Sequence, residues 1–134
     1  MKIKNFVLIL VTLTIAVIFM SSFMQQKPWV IPDKYKSMKN PVKSSATSIS
    51  DGKYTYDNHC KSCHGNKGKG DGVKAKTLKT IVNDLTAPKA QEVTDGEMYY
   101  QSFIGRDEMP NFEKKIPEET DRWDVINYVR SLKK

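Results

Sequence analysis

The sequence is short of several residue types, and each shortage excludes a class of protein. Only two of its 134 residues are cysteine, and only two are histidine. Two cysteines are too few for a small secreted scaffold held by several disulfides, which needs four or more. Apolar residues make up 39% of the chain, far below what a polytopic membrane protein requires. Only three arginines occur, without an arginine-rich stripe, so the formal net charge of +7 does not indicate nucleic-acid binding.

The net charge is unevenly distributed along the chain. Residues 1–50 carry seven lysines and one acid, for a net charge of +6, whereas residues 51–134 have 15 basic and 14 acidic groups and a net charge of +1. Within the second part, 51–89 is +4 and 90–134 is −3. The basic character therefore belongs to the N-terminal arm, and the polarised remainder can be oriented by a charged partner.

One long apolar run lies near the N-terminus. No residue from 6 to 24 is charged, and two lysines precede the run. A helix of that length nearly spans a hydrocarbon core of ~30 Å, and the basic flank predicts a cytoplasmic N-terminus with the rest of the chain exported. Residues 1–24 are therefore predicted to be a membrane anchor or a signal segment. A retained anchor is favoured, because cleavage after Ser22 would place Met20 where a small residue is preferred; cleavage to a soluble periplasmic form stays open.

Residues 25–50 change in composition to proline, lysine and serine. Three prolines and the absence of helical periodicity predict an extended linker. Trp29, Val30 and Ile31 are more apolar than a pure spacer needs, and they could dock either on the membrane interface or on the folded domain. The remaining residues, 51–134, are predicted to form one domain.

Both cysteines lie in one five-residue motif, Cys60-x-x-Cys63-His64. Covalent haem attachment is the favoured interpretation, because two thioethers three residues apart can meet the two vinyl groups of a porphyrin while the adjacent imidazole reaches the iron. A zinc site would need four donors around one ion, and the candidates, which include His59, are crowded into a single short turn. A thioredoxin-like dithiol would follow a strand, and no strand pattern precedes Cys60.

A haem iron that is bound by one histidine needs a sixth ligand or keeps an open site. Met109 is the predicted ligand, because Pro110 removes a backbone donor and keeps the methionine out of a helix. Met98 is a weaker candidate, and a lysine is a third. Thr94 and Glu97 match a capping box, which places Met98 inside a helix and in the core.

The rest of the domain is predicted to consist of helices and loops. A first helix is expected over about 51–59, a glycine-rich loop over 65–72, a middle helix from Thr94 to about 103, and a final helix from about Pro117 to the last lysines. No stretch shows the alternation of a β-strand. At about 100° per residue, one broad face of the final helix collects five apolar residues, with Trp123 beside it: Val125, Ile126, Tyr128, Val129 and Leu132.

Seven short stretches occur together in one order over residues 51–134: Gly52-Lys53-x-x-Tyr56, Cys60-x-x-Cys63-His64-Gly65, Gly68-x-Gly70-Asp71-Gly72, Asp84-Leu85-Thr86, Thr94-Asp95-Gly96-Glu97-x-Tyr99, Gly105-Arg106-x-x-Met109-Pro110-x-Phe112 and Arg122-Trp123-x-x-x-x-Tyr128-Val129-Arg130-Ser131-Leu132. With these motifs the domain resembles the class I c-type cytochromes, which are small, all-α, mono-haem proteins. The resemblance covers nearly the whole domain.

The resemblance implies an all-α fold of three to four short helices around one covalently bound haem c. It implies that Gly52 lets the first and last helices cross closely, and that Cys60 and Cys63 anchor the haem. His64 is then the proximal iron ligand and Met109 the distal one. One departure is that no proline follows the haem motif until Pro88. The carbonyl that often receives the histidine Nδ1–H in this family therefore has no assigned counterpart.

The resemblance implies an electron carrier rather than an enzyme, because iron with both axial sites filled binds substrate poorly. We expect the protein to be tethered to a bacterial inner membrane. Its haem domain would then lie in the periplasm as part of a respiratory chain. Its expected partners are redox proteins such as a quinol-oxidising complex, a dehydrogenase or a terminal oxidase. The alternative is a fixed cytochrome subunit of a larger oxidase or quinol-oxidising complex. A haem sensor or peroxidase is the third possibility, and His59 is its only spare imidazole.

Overall fold

The computed structural model describes residues 3, 4, 7 and 27–133, so that the predicted anchor lies almost wholly outside the described residues. Over the described part of the chain, no helix is long and apolar enough to cross a membrane. The same residues contain no β-strand, only one isolated bridge, which confirms the all-α class. In chain order the helices are α1 (Asp33–Lys36), α2 (Ala46–His59), α3 (Lys61–His64), α4 (Pro88–Gln91), α5 (Asp95–Tyr99) and α6 (Glu119–Ser131), with a 3₁₀ turn at Ala75–Thr77 and a π-helical turn at Tyr100–Ile104.

Two helices differ in extent from the sequence prediction, for local reasons. Helix α2 begins five residues earlier than expected, because the Ser45 side chain accepts a hydrogen bond from the Ser48 backbone N–H at 3.1 Å and caps the helix. Helix α5 has the predicted capping box between Thr94 and Glu97. Its continuation is not a regular α-helix, however, because residues 100–104 form a wider π-helical turn.

Helices α2 and α6 cross at a point where the backbones touch. A Cβ at Gly52 would collide with the carbonyl oxygen of Asp124, so no side chain fits on α2 at the crossing. The Tyr56 and Tyr128 rings pack edge to face beside it, with 5.0 Å between centroids. The expected close crossing at Gly52 is therefore present, and it fixes the direction in which α2 delivers the residues that follow it.

The core lies between these two helices and α5. Helix α6 is buried without a break from Trp123 to Val129. Trp123 was expected beside the apolar face but is only 1% exposed, because the Tyr99 ring packs against it at 4.5 Å. Met98 is 5% exposed and belongs to the core, as the capping box predicted. The buried apolar cluster consists of Tyr56, Met98, Tyr99, Phe103, Phe112, Ile116, Trp123, Val125, Ile126, Tyr128 and Val129.

Residues 27–45, which we call the N-terminal strap, pack on the domain. Ile31 is only 9% exposed, and the Tyr35 ring lies 4.8 Å from that of Tyr100 and 6.5 Å from that of Tyr99. A Cβ at Gly96 would collide with the carbonyl oxygen of Tyr35, so the strap backbone lies directly against α5. Of the two docking surfaces considered for this region, the structure shows contacts with the folded domain.

The C-terminal half of the strap is held by hydrogen bonds between the partly buried amide of Asn40 and the buried amide of Asn127. Asn40 Nδ2 donates to Asn127 Oδ1 at 2.9 Å, and Asn40 Oδ1 accepts from the Val42 backbone N–H at 2.8 Å. Asn127 Nδ2 donates to the Val42 carbonyl at 3.1 Å and to the Ser48 hydroxyl at 2.7 Å. Because buried polar groups are costly unless they are paired, this network specifies where the strap meets α6.

Candidate functional site

The two cysteines are placed by the junction between α2 and α3. Cys60 ends α2, and its carbonyl accepts hydrogen bonds from the backbone N–H groups of Cys63 at 3.1 Å and His64 at 2.9 Å. Gly65 ends α3 with a φ of +81°, a conformation that favours glycine. Its carbonyl accepts a hydrogen bond from the Tyr56 hydroxyl at 2.8 Å. The turn is therefore built from backbone hydrogen bonds and tied to the core.

This turn forms one wall of a cavity of about 270 Å³. Cys60, Cys63 and His64 line one side, and Met109 also lines the cavity, although it is 45 residues further along the chain. The structure thus brings all four predicted site residues to one cavity. The other lining residues are Lys27, Trp29, His59, Leu78, Thr80, Ile81, Val82, Asn83, Arg106, Asp107, Glu108, Pro110 and Phe112.

The electrostatics of the turn suit buried, neutral donors. Burial lowers the pKa of His64, which keeps its imidazole neutral as an iron ligand must be. Burial also raises the pKa of Cys60 to about 12, and the neighbouring Cys63 adds to the shift. A redox-active dithiol needs a lowered thiol pKa, so this environment disfavours the thioredoxin-like interpretation. Across the described residues, no three histidine, cysteine or acidic side chains come together to hold a bare metal ion.

The second ring nitrogen of His64 is the polar atom at this site that lacks a clear partner. Nδ1 is buried and makes no hydrogen bond of good geometry within the described part of the chain. The backbone of Asn83 lies close enough to favour the protonated imidazole and partly offsets the effect of burial on its pKa. Asn83 belongs to the loop that lines the cavity after the glycine-rich stretch. The loop that contains Asn83 therefore lies close to the nitrogen whose partner the sequence left unassigned, but no hydrogen bond of good geometry joins the two.

Met109 lies in a tight turn whose backbone requires a glycine. Gly105 has a φ of +70°, and a Cβ there would collide with the carbonyl oxygen of Met109. Asp107 also has a positive φ, of 50°, and the Met109 N–H donates to the Arg106 carbonyl at 2.9 Å. Together with Pro110 this turn presents Met109 from a loop, as the sequence predicted. Residues 105–110 are called the Met109 loop below.

Charged side chains tie the Met109 loop to two other segments. The Glu108 carboxylate accepts the backbone N–H groups of Lys79 at 3.1 Å and Thr80 at 2.7 Å. A hydrogen bond from the Thr80 hydroxyl and these two backbone bonds lower the pKa of Glu108. Arg106 donates to two carbonyls of the strap, and its guanidinium lies 4.0 Å from the centre of the Trp29 ring.

Sequence reasoning missed several residues of this site. Lys27 and Trp29 line the cavity, although they lie some 30 residues before the haem motif. The only sequence signal for them was the apolar character of residues 29–31 within a polar segment. Arg106 was noted only as part of a motif, and no periodicity could indicate that its side chain reaches the strap. His59 lines the cavity with its ring 6.3 Å from that of Phe112.

Comparison with known proteins gives a family match and similar solved structures. A family model described as "Cytochrome c" matches residues 49–133. A solved chain from a reducing HAO-like protein complex of Kuenenia stuttgartiensis is 25% identical, with a TM-score of 0.60. The match covers 84% of the present chain and 54% of that chain, so the present chain spans about half of the solved one. The comparison with curated proteins gives no match.

Proposed function

Because the chain belongs to the cytochrome c family, whose members carry electrons through a covalently bound haem c, we propose that this domain transfers electrons with His64 and Met109 as the axial ligands of its haem. Cys60 and Cys63 have the spacing of the thioether anchors. When bound, haem c supplies an iron that exchanges one electron at a time.

One observation carries the proposed ligand pair, namely that His64 and Met109 line the same cavity. The chain also provides what the cofactor needs around the ligands. Leu78, Val82 and Phe112 give the cavity apolar walls. Neutral nitrogen and thioether ligands without a free site favour electron transfer over substrate binding and raise the reduction potential.

The ligand pair can be tested by absorption spectroscopy of the purified full chain, oxidised and reduced. The oxidised protein should show the weak near-infrared band of methionine-bound iron. Met109→Leu should abolish the band, whereas Met98→Leu should keep it, because Met98 is a core residue and leucine nearly conserves its volume. Retention of the band in Met109→Leu would overturn the assignment.

The proposal extends to location, where the support is the apolar run of residues 6–24 and its basic flank. We propose that this run holds the domain on the periplasmic side of a bacterial membrane as part of a respiratory chain. The mass of the intact protein extracted from membranes tests retention of the run. A mass equal to the full chain plus one haem supports an anchor, and a mass lower by a signal segment contradicts it.

A second candidate function, a fixed subunit of a larger redox complex, is favoured by the packed strap. Only residues 25 and 26 separate the apolar run from the strap, and three backbone steps reach at most ~11 Å. Such a short connection limits how far the domain can move from the apolar run, and the solved neighbour is a chain of a protein complex. A native gel of mildly solubilised membranes separates the alternatives: migration with a larger assembly supports the subunit, and migration as a small species supports the carrier.

A further inference from the structure

We propose that the N-terminal strap positions Met109 on the haem iron and that Arg106 is the positioning residue which couples them. The inference rests on the ligand pair proposed above and adds a role for residues 27–29, a segment outside the stretch that matches the family. The strap is expected to set how readily the methionine leaves the iron, rather than whether the domain folds.

Arg106 contacts both parts through different atoms. Its guanidinium donates to the Pro28 carbonyl through Nη1 at 2.9 Å and to the Lys27 carbonyl through Nη2 at 2.6 Å. Its backbone carbonyl accepts the N–H of Met109 at 2.9 Å. A displacement of the strap is therefore transmitted to the ligand loop through Arg106. The guanidinium also lies near a charged group, because the Asp107 carboxylate is 3.8 Å from Arg106 Nε.

Trp29 makes the contact specific. The Arg106 guanidinium lies 4.0 Å from the centre of the indole, a geometry in which arginine is attracted to the ring face. The indole also meets the Tyr100 ring edge to face, at 6.3 Å between centroids, and the Tyr100 carbonyl accepts the Gly105 N–H at 3.3 Å. The strap therefore touches the Met109 loop directly and also the turn that leads into it.

The position of the strap explains why the effect should reach the iron. Lys27, Trp29 and Arg106 all line the cavity that Met109 lines. When these residues are in place, an indole and a folded loop form part of the wall of the cavity that Met109 lines. When the contact is lost, the loop keeps its covalent neighbours but loses the strap that limits its movement, and an external ligand competes more easily with the thioether sulfur.

The test is an imidazole titration of the oxidised holoprotein, full chain, followed through loss of the near-infrared band. Arg106→Gln and Trp29→Ala should each raise the apparent affinity for imidazole about tenfold, in keeping with the loss of a charge-assisted or cation–π contact. The double variant should show less than the product of the two effects, because each change removes the same contact.

Arg130→Gln is a matched control, because Arg130 also donates to two backbone carbonyls, those of Gln91 at 2.7 Å and Val93 at 2.6 Å. Within the described residues, no hydrogen bond or ion pair joins Arg130 to the Met109 loop. The Arg130→Gln variant should lower resistance to denaturant and leave imidazole affinity unchanged. Val30→Ala, at a residue 89% exposed, should change neither property.

The inference is overturned if Arg106→Gln and Trp29→Ala bind imidazole as the wild type does. It is also overturned if Arg130→Gln raises the affinity by the same factor, since the effect would then report general destabilisation. A wild-type protein without the near-infrared band would refute the ligand pair itself, and with it the positioning role. The two failures are thus distinguished by the wild-type spectrum.

Discussion

The two sides of the cavity are built in different ways. The turn with Cys60, Cys63 and His64 is continuous with α2 and is held by backbone hydrogen bonds within one stretch of chain. The Met109 loop belongs to no helix and is held by side chains that reach separate segments, Arg106 to the strap and Glu108 to residues 79–80. Local backbone bonds are lost only when the helix unfolds, whereas a side-chain contact can be lost alone. Substitutions on the histidine side should therefore change the free energy of unfolding of the whole domain. Substitutions on the methionine side should change imidazole affinity independently of that free energy.

The largest effect is expected from removal of both thioether anchors. In Cys60→Ala/Cys63→Ala the haem is no longer attached, and the apolar cavity walls lose the group they pack against. A domain of this size has a small core, so the variant should be largely unfolded, with most of its far-ultraviolet circular dichroism signal lost. Ser62→Ala, between the two cysteines, should keep the haem and the helical signal. Full, cooperative helicity in the double variant would contradict the prediction.

A large effect on stability alone is expected at the helix crossing. The methyl group of Gly52→Ala would collide with the backbone carbonyl of Asp124, which cannot move away as a flexible side chain could. We expect a loss of about 2–3 kcal/mol in the free energy of unfolding, measured with denaturant on the holoprotein.

Tyr54→Ala is the control on the same helix, because Tyr54 is 74% exposed. Imidazole affinity, measured at low denaturant where Gly52→Ala is still folded, should stay close to that of the wild type. A Gly52→Ala protein with wild-type stability would mean that the close crossing does not hold the histidine side together.

A smaller and more local effect is expected at Glu108, on the methionine side. Glu108→Gln keeps the shape of the side chain but removes the charge that accepts the N–H groups of Lys79 and Thr80. Imidazole affinity should rise severalfold, with little change in the denaturation midpoint. Glu113→Gln is the matched control, because Glu113 accepts a local hydrogen bond from Asn111, two residues away in the chain. Equal imidazole affinity in the two variants would show that the Glu108 contact does not hold the loop.

The same contrast explains which parts of the molecule could be predicted from the sequence. The Cys60-x-x-Cys63-His64 motif, the capping box before Met98 and the loop around Met109 depend on residues close together in the chain, and each was placed correctly. The start of α2 was missed because Ser45 caps it from within a segment whose composition resembles a linker. Docking of residues 29–31 on the folded domain was one of the two alternatives, but the partners of the strap could not be named from the sequence, for a stronger reason.

The strap contacts join residues 27–45 to partners more than 50 positions away, and no local pattern encodes such pairs. The Lys27 carbonyl meets Arg106 over 79 positions, and Asn40 meets Asn127 over 87. The burial of Trp123 likewise depends on Tyr99, which reaches it from another helix. The proximal side could thus be derived from local chemistry, whereas the surroundings of the distal ligand required the folded chain.

The smallest effect is expected from a charge pair on the histidine side. Lys53 and Asp57 form an ion pair one turn apart on α2, with 54% and 30% of their side chains exposed. Exposed pairs of this kind contribute little, because water screens them and two flexible side chains must be ordered. Lys53→Ala should therefore leave the denaturation midpoint and imidazole affinity within measurement error of the wild type. A midpoint lowered as far as in Gly52→Ala would show that surface charge, and not the helix crossing, supports this side. We expect instead that Lys53→Ala has no effect whereas Glu108→Gln raises imidazole affinity. The two exposed charge contacts would then differ because α2 keeps its backbone hydrogen bonds when the ion pair is lost, whereas the Met109 loop has few such bonds.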